Sequence, residues 1–518
     1  MKQPGRRFSV ALTVLALATS AACTINPVTG ERQLALVSAE GEVAIGTEQY
    51  LPSQQMQVGE YLRDPTLSDY VSSVGNRLGT VSDRALPYEF VVINSSIPNA
   101  WALPGGKIAI NRGLLLELDS EAELAAVLAH EIVHAAARHG AQAMQRGILL
   151  QGVVLIASAA ARNRDYSDLA VGAAGLGAEL IHMRHGREAE LESDAYGMQY
   201  MSRAGYDPRA AIDLQRTFVQ LSEERDSGGW VGGLFASHPP SAERVAQNQA
   251  TAATLAPTGA VGREAYVNAT TGLRRDAPGY EALDTAREAL ADKELALARR
   301  EASTALDRIP DEAQVEALLG DIEMAADRPD LAVNRYVQAL RLNDRFFYYH
   351  LAKADAHLAL NQNPQAETAY EASLALLPTA DAYLGLGRIA EARSDIMLAT
   401  EHYRRAAESS GEAGAEARVA LMRLDLPENP GRYLSVNSTL DTNGYLIVEI
   451  NNSTELEIGS IELIVSYLDA GQIRLDRRTL EGTLPPGGDR RYASGLGPFA
   501  LGTAYEVIIG TAQVVEGQ

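Results

Sequence analysis

His130 and His134 stand four residues apart, so on a helix they share one face, and Glu131 sits beside the first of them. They lie in "LAAVLAHEIVHAAARHG", Leu124 to Gly140, an Ala/Leu/Val-rich run whose apolar residues predict burial. Two imidazoles at this spacing can put nitrogens on one Zn²⁺ at about 2.0–2.1 Å. A neighbouring carboxylate can then take a proton from water acidified by the ion. A helix with solvent-facing histidines would carry the same string, so the chemistry turns on a third ligand. His139 follows nine residues after His130, one short of the third histidine in the all-histidine pattern HExxHxxGxxH, and Ala137 stands where that pattern has Gly. His139 reads instead as a polar helix-end residue near Gly140, its cation suited to the C-terminal dipole. Glu190 and Asp194, in "REAELESDAYG", form the better pair. They too are i and i+4, so both can point from a second helix at the first. Glu190 would supply a carboxylate ligand, and Asp194 would accept from the distal N–H of a ligating histidine. The plain alternative is a solvated acidic face, because Glu188, Glu190, Glu192 and Asp194 follow closely. The pairing predicts about one zinc ion per chain.

Helices must carry both halves of such a site. "SEAELAAVLAHEIVHAAARHG" has a capping signature, with Ser120 at its start, Glu123 three residues on and Gly140 to end it. "GREAELESDAYGMQYMSRAG" reads as a second helix closing at Gly205. "YEFVVIN" (Tyr88–Asn94) and "GKIAINRGLL" (Gly106–Leu115) read as strands around a turn at Pro104–Gly106. The pattern over 23–250 is that of an α+β domain, and 251–277 reads as a polar linker. From 278 to 426 a repeat emerges, with Gly320, Ala354 and Gly387 in register, as are Ala332, Ala366 and Ala399, and Tyr336, Tyr370 and Tyr403. Steps of 34 and 33 residues, small residues at helix crossings and an aromatic four positions later make the tetratricopeptide (TPR) pattern. A weaker copy precedes them, with Ala298, Ala302, Ala305 and Pro310 at equivalent places. The tail, 427–518, alternates apolar and polar residues between turn clusters and predicts a small antiparallel β-sandwich. The fold class expected is therefore multidomain: an α+β zincin-like (gluzincin) metallopeptidase domain, an all-α TPR solenoid and an all-β sandwich.

With 518 residues and a formal net charge of −22, the chain repels phosphate backbones, which excludes nucleic acid as a partner class. The start, "MKQPGRRFSVALTVLALATSAAC", has a basic head, an apolar stretch and small residues before the single cysteine. Residues 1–22 read as a secretory signal. Cys23 is a candidate lipidation site, although Ser20 sits where such sites carry Leu, and an ordinary cut after Ala22 also fits. No later segment approaches ~18 uninterrupted apolar residues, so membrane contact is expected only through a lipid anchor.

"HEIVH" followed by "REAELESDAYGMQYMSRAGYDP" resembles the zinc peptidase family of HtpX and the CAAX prenyl proteases, in its β-barrel assembly-enhancing (BepA-like) branch. Further matches are "CTINPVTGERQLALVSAEGEVAIG", "NAWALPGGKIAINRGLL" (Asn99–Leu115) and "SHPPSAERV" (Ser237–Val245). The resemblance covers about residues 23–250 and implies His130, His134 and Glu190 as zinc ligands, Glu131 as general base and Asp194 behind the ligands. It also implies that His238, six residues ahead of Arg244, can occupy the fourth zinc position as a plug that keeps the enzyme latent. By the same analogy the strand "GGKIAINR" is the edge where an extended peptide docks. Gly186 and Trp101 depart from the family's usual Ser and Phe; neither is a ligand, so they bear on substrate preference. "GILLQGVVLIASAA" (Gly147–Ala160) falls where membrane-bound relatives have spanning helices, and reads here as a packed or surface-seeking amphipathic helix. His182 and His185 receive no role.

Together these readings describe a zinc endopeptidase of the bacterial envelope, periplasmic and anchored to the outer membrane. Its substrates would be unfolded or misassembled envelope proteins, and its TPR repeats would bind partner proteins. The rival is an envelope chaperone or assembly scaffold whose zinc site is latent or structural.

Overall fold

The computed structural model describes residues 23–145, 185–224, 238–256, 258–469, 471–500 and 502–515. The expected signal segment, the apolar run 147–160 and His182 lie outside them. No helix among the described residues is long and apolar enough to cross a membrane. The chain divides into two compact units, residues 1–378 and 379–518.

The first unit opens with a short antiparallel pair, β1 (Cys23–Ile25) and β2 (Arg32–Leu34), followed by α1 (Ala39–Met56) and α2 (Pro65–Gly79). A three-stranded sheet comes next: β3 (Glu89–Ile93), β4 (Ala100–Leu103) and β5 (Lys107–Asn111). Its order is β3-β5-β4, with β3 parallel and β4 antiparallel to β5. The expected turn therefore closes a β4–β5 hairpin, where Gly105 and Gly106 both hold positive φ (82° and 89°) that other residues rarely adopt. β5, expected as the docking edge, is paired on both sides and buried at every residue. The terminal strands are β3 and β4, and the four apolar residues of β4 are too few to show the alternation that marks a strand.

α3 (Arg112–Glu117) leads into α4 (Glu121–Ala136), the helix of the HExxH string. Ser120 Oγ accepts from the Glu123 amide at 3.2 Å, as the capping signature predicts. The helix stops four residues before Gly140. Arg138 takes φ 68°, a left-handed turn rare for a non-glycine residue. Two contacts hold that turn: Arg138 Nε donates to the buried Glu42 Oε1 at 2.5 Å, and Nη2 donates to the Val37 carbonyl at 2.7 Å. Arg84 pairs with the same Glu42 at 2.8 Å.

α5 (Arg187–Arg203) lies against α4, followed by α6 (Ala210–Glu224) and α7 (Ala242–Thr254). A Cβ at Gly197 would press on the backbone of Ala129 and His130, so glycine there lets α5 approach α4 closely.

The segment expected as a linker is mostly helical: α7 runs through Thr254, and α8 (Arg263–Ala291) begins at Arg263. Tyr266, Leu273 and Tyr280 recur every seven residues, fall on one face and are buried in the same hydrophobic core as Leu114, Leu115 and Leu118. The polar residues between them masked that face in the sequence. α8 pairs with α9 (Leu295–Arg308), α10 (Ala313–Ala325) with α11 (Pro329–Leu342), and α12 (Phe347–Ala359) with α13 (Asn363–Leu376). These hairpins show what the repeat positions do. A Cβ at Gly320 would strike the Tyr336 ring, and the Tyr336 hydroxyl donates to Asp321 Oδ1 at 2.8 Å. Tyr370 donates likewise to Asp355 at 2.6 Å.

A buried polar network joins the peptidase part to the first repeats. Arg112, 1% exposed, donates from Nε to Asn94 Oδ1 at 2.8 Å, and its guanidinium lies 3.5 Å over the Tyr280 ring. Glu312 accepts from Tyr280 at 2.7 Å and from Asn94 at 3.1 Å. Farther along, Gln55 of α1 bonds the backbone of Arg345 and Phe347 at 2.8 Å each.

The second unit contains α14 (Ala380–Ala392), α15 (Ile396–Ala406) and α16 (Glu412–Asp425). Here Tyr403 bonds Glu391 at 2.7 Å, because Arg388 replaces the aspartate that follows the small residue in the two earlier repeats. Then come β6 (Leu434–Leu440), β7 (Leu446–Asn452), β8 (Ile458–Asp469), β9 (Gln472–Thr479), β10 (Asp489–Ala493) and β11 (Tyr505–Val514). They form two antiparallel sheets, β10-β7-β6 and β11-β8-β9, around one core that includes Leu446, Val448, Ile450, Leu463 and Val465. This is the expected sandwich.

Candidate metal centre

α4 presents His130 and His134 toward α5, and α5 answers with Glu190 and Asp194, so the two i, i+4 pairs face one another. His238, just ahead of α7, joins them. Ligand atoms of His130, His134, Glu190 and His238 all lie within 4.8 Å of one another, and all four residues are buried.

The separations test the fit to a metal. His130 Nε2 is 3.0 Å from His134 Nε2, 3.4 Å from Glu190 Oε2 and 3.3 Å from His238 Nδ1. His134 Nε2 is 3.4 Å from Glu190 Oε1, and His238 Nδ1 is 3.1 Å from the same oxygen. Donors bonded tetrahedrally to zinc at about 2.0–2.1 Å would stand roughly 3.4 Å apart. Three imidazoles and one carboxylate at these spacings suit Zn²⁺ in both chemistry and size.

Around the donors, each group has a partner. His130 Nδ1 lies 2.9 Å from Asp194 Oδ1, which leaves Nε2 free to face the donor cluster. Asp194 is in turn gripped by Arg244, from Nη2 to Oδ1 and from Nε to Oδ2, both at 2.7 Å. Arg244 Nη1 also reaches Glu190 Oε2 at 3.1 Å. Glu131 is buried, with Oε1 3.6 Å from His238 Nε2. His238 thus stands at the fourth corner of the donor set and against Glu131.

The protein's own charges poise these groups. Burial favours neutral forms throughout, and raises the carboxyl of Glu131 despite the nearby histidines. For Glu190 the same burial is outweighed by His238, His130 and His134, which hold its carboxyl well below the usual range. Asp194 is likewise held low against burial, chiefly by Arg244. Burial and the neighbouring His185 push His134 well down, whereas Asp194 and Glu190 overcome burial at His130 and raise it to about 10.

Two histidines set aside from the sequence belong to these surroundings. His139 Nδ1 is 2.9 Å from His134 Nδ1, so its ring lies against a candidate ligand and does not stand free at the helix end. The ring of His185 lies 4.0 Å from that of His134, and burial followed by His238 lowers its pKa to about 3. Spacing could not mark His139, since the left-handed Arg138 breaks the helical phase on which spacing arguments depend, and His185 reaches His134 from a distant stretch of the chain, just ahead of α5. Of the two departures, Gly186 starts α5 with no side-chain cap, and Trp101 is buried edge-on to Tyr50 in β4.

A helix bearing HExxH, crossed by a second helix supplying a glutamate to the same donor set, defines the architecture of a gluzincin-type zinc metallopeptidase domain. Residues 63–252 match peptidase family M48. The chain is 34% identical over 182 residues to the β-barrel assembly-enhancing protease of Escherichia coli, covering 30% of this chain and 36% of that one. It is 30% identical over 197 residues to a putative β-barrel assembly-enhancing protease of Vibrio cholerae, covering 36% and 40%. With the mitochondrial metalloendopeptidase OMA1 of Schizosaccharomyces pombe it shares 32% over 185 residues, covering 34% and 50%. The match to the Vibrio cholerae relative thus spans 40% of that protein's length. M48 metallopeptidases use zinc, in accord with the donor set.

Proposed function

We propose that this chain is a zinc-dependent endopeptidase of the bacterial cell envelope that acts in quality control or assembly of outer-membrane and periplasmic proteins. The observation that carries the reading is the donor set, with four ligand atoms within 4.8 Å of one another and Glu131 beside them. His130, His134 and Glu190 would hold the ion, and Asp194, gripped by Arg244, would keep His130 in its ligating tautomer. Zinc bound there supplies Lewis acidity toward a peptide carbonyl and toward water. Glu131 takes the proton of the attacking water and returns it to the leaving amine. Its burial favours this, because a raised carboxyl holds a transferred proton more readily. An extended substrate would add along β4, a terminal strand of the sheet; the other, β3, is bridged at Ile93 to Glu60. The helical repeats would recruit partner or substrate proteins, supplying selectivity that a peptide cleft lacks.

His238 motivates the second reading, a chaperone or scaffold with a latent site. A histidine at the fourth corner blocks the position a substrate needs and also covers Glu131. On the peptidase reading this is a resting state. His238→Ala then raises cleavage of an unfolded outer-membrane protein, followed by gel and mass analysis, while the zinc content stays at that of the parent. A variant that binds zinc yet cleaves nothing favours the scaffold.

Export and acylation of Cys23 complete the proposal. The mass of the mature N-terminus should show a lipid-modified Cys23, with no residue before it. An unmodified residue there would point to a free periplasmic protein.

A further inference from the structure

We propose that His139 is a positioning residue for the metal site: it accepts the Nδ1 proton of His134 and, through Glu192, holds that ring in its ligating tautomer. A histidine that offers its Nε2 lone pair to a metal must carry its proton on Nδ1. For His134, the group facing Nδ1 is His139 Nδ1, at 2.9 Å. Only one of these two nitrogens can hold a proton in that bond, so His139 must be the acceptor and carry its own proton on Nε2. That nitrogen faces Glu192 Oε1 at 3.3 Å, a carboxylate able to receive it. Ser193 Oγ, at 3.4 Å from His139 Nδ1, is the other polar group on this ring. The line His134–His139–Glu192 thus does for one α4 histidine what Asp194 and Arg244 do for His130.

The backbone is arranged for this contact. Had α4 continued to Gly140, His139, five residues after His134, would project about 140° away around the helix. The left-handed Arg138 instead swings His139 back beneath His134. A non-glycine residue rarely adopts that conformation, because its Cβ crowds the following carbonyl. It is held by the buried Arg138–Glu42–Arg84 cluster, which fixes the turn and leaves both arginines paired.

This inference rests on zinc at the donor set but not on what the zinc does. Its test is zinc affinity of the full chain, measured by chelator competition for the parent, His139→Leu and His139→Asn. Both variants fill the space, but only asparagine offers an acceptor, its Oδ1, near the place of Nδ1. His139→Leu is expected to weaken zinc binding by about 10–100-fold, and His139→Asn to recover most of that loss. The cobalt-substituted proteins report the same distinction, with visible bands shifted in the leucine variant and near the parent's in the asparagine variant. Parent-like affinity in His139→Leu overturns the proposal, as does an equal loss in both variants. A parent that takes up no zinc would instead sink the metal-site reading itself.

Discussion

Glu131→Gln retains about one zinc per chain and loses peptide hydrolysis by about 10²–10⁴-fold, the span that a positioned general base contributes. Glu131 is not among the four groups whose ligand atoms cluster, so glutamine leaves the donor set intact. Its side chain has the same shape and keeps a polar atom facing His238 Nε2, which lies 3.6 Å from Glu131 Oε1. What glutamine lacks is a site for the transferred proton. Glu131 is also 2% exposed, so removing its charge relieves a desolvation cost and should not weaken the fold. Metal analysis and cleavage of an unfolded protein substrate in the His238→Ala background check both halves. An undiminished rate would remove Glu131 from the chemistry, and loss of zinc would mean that it helps hold the ion.

A fragment ending at residue 256 is expected not to fold, whereas a chain ending at Pro378 folds and binds zinc. The cut removes α8 and with it Tyr266, Leu273, Tyr280 and Leu283, all buried in the peptidase core. Burial of each such side chain contributes about 1.5–3 kcal/mol, so the four together approach the 5–15 kcal/mol by which a whole domain is stable. Polar contacts go too. The Tyr266 hydroxyl donates to the Leu115 carbonyl at 2.6 Å, and Arg274 Nη2 donates to that of Leu118 at 2.7 Å. Arg112 would lose the face of Tyr280 and the carboxylate of Glu312 that accompany its buried guanidinium. Thermal melts by circular dichroism and zinc content compare the fragment with the longer chain. A cooperative melt of the short fragment within a few degrees of the longer one would show that α8 is dispensable.

The first helices after the peptidase pattern therefore do two jobs. They complete the peptidase core, and they begin the helical hairpins that carry the repeat. A buried network of this kind ties the orientation of those first hairpins to Asn94, just after β3, and to Arg112, the first residue of α3.

How much of this was legible in the sequence follows from the range of the interactions involved. His130 with His134, and Glu190 with Asp194, were readable because a helix turns every 3.6 residues, and i, i+4 placement needs no knowledge of the rest of the fold. The repeats were readable for the same reason: Gly320 under Tyr336 and Gly387 under Tyr403 are contacts within one hairpin, recurring at a fixed step. Only the tertiary structure could show that β5 lies inside its sheet and β4 at its end, because strand order depends on pairing between segments. It alone turned the supposed linker into α8, whose buried face shows only where Leu114 and Leu115 pack against it. It also returned His139 to the site, since one left-handed residue, Arg138, rotates everything after it out of helical register. The sequence by itself determined which side chains can bind a metal; the long-range packing of α4, α5 and the His238 segment decided that they meet, and which neighbours hold them there.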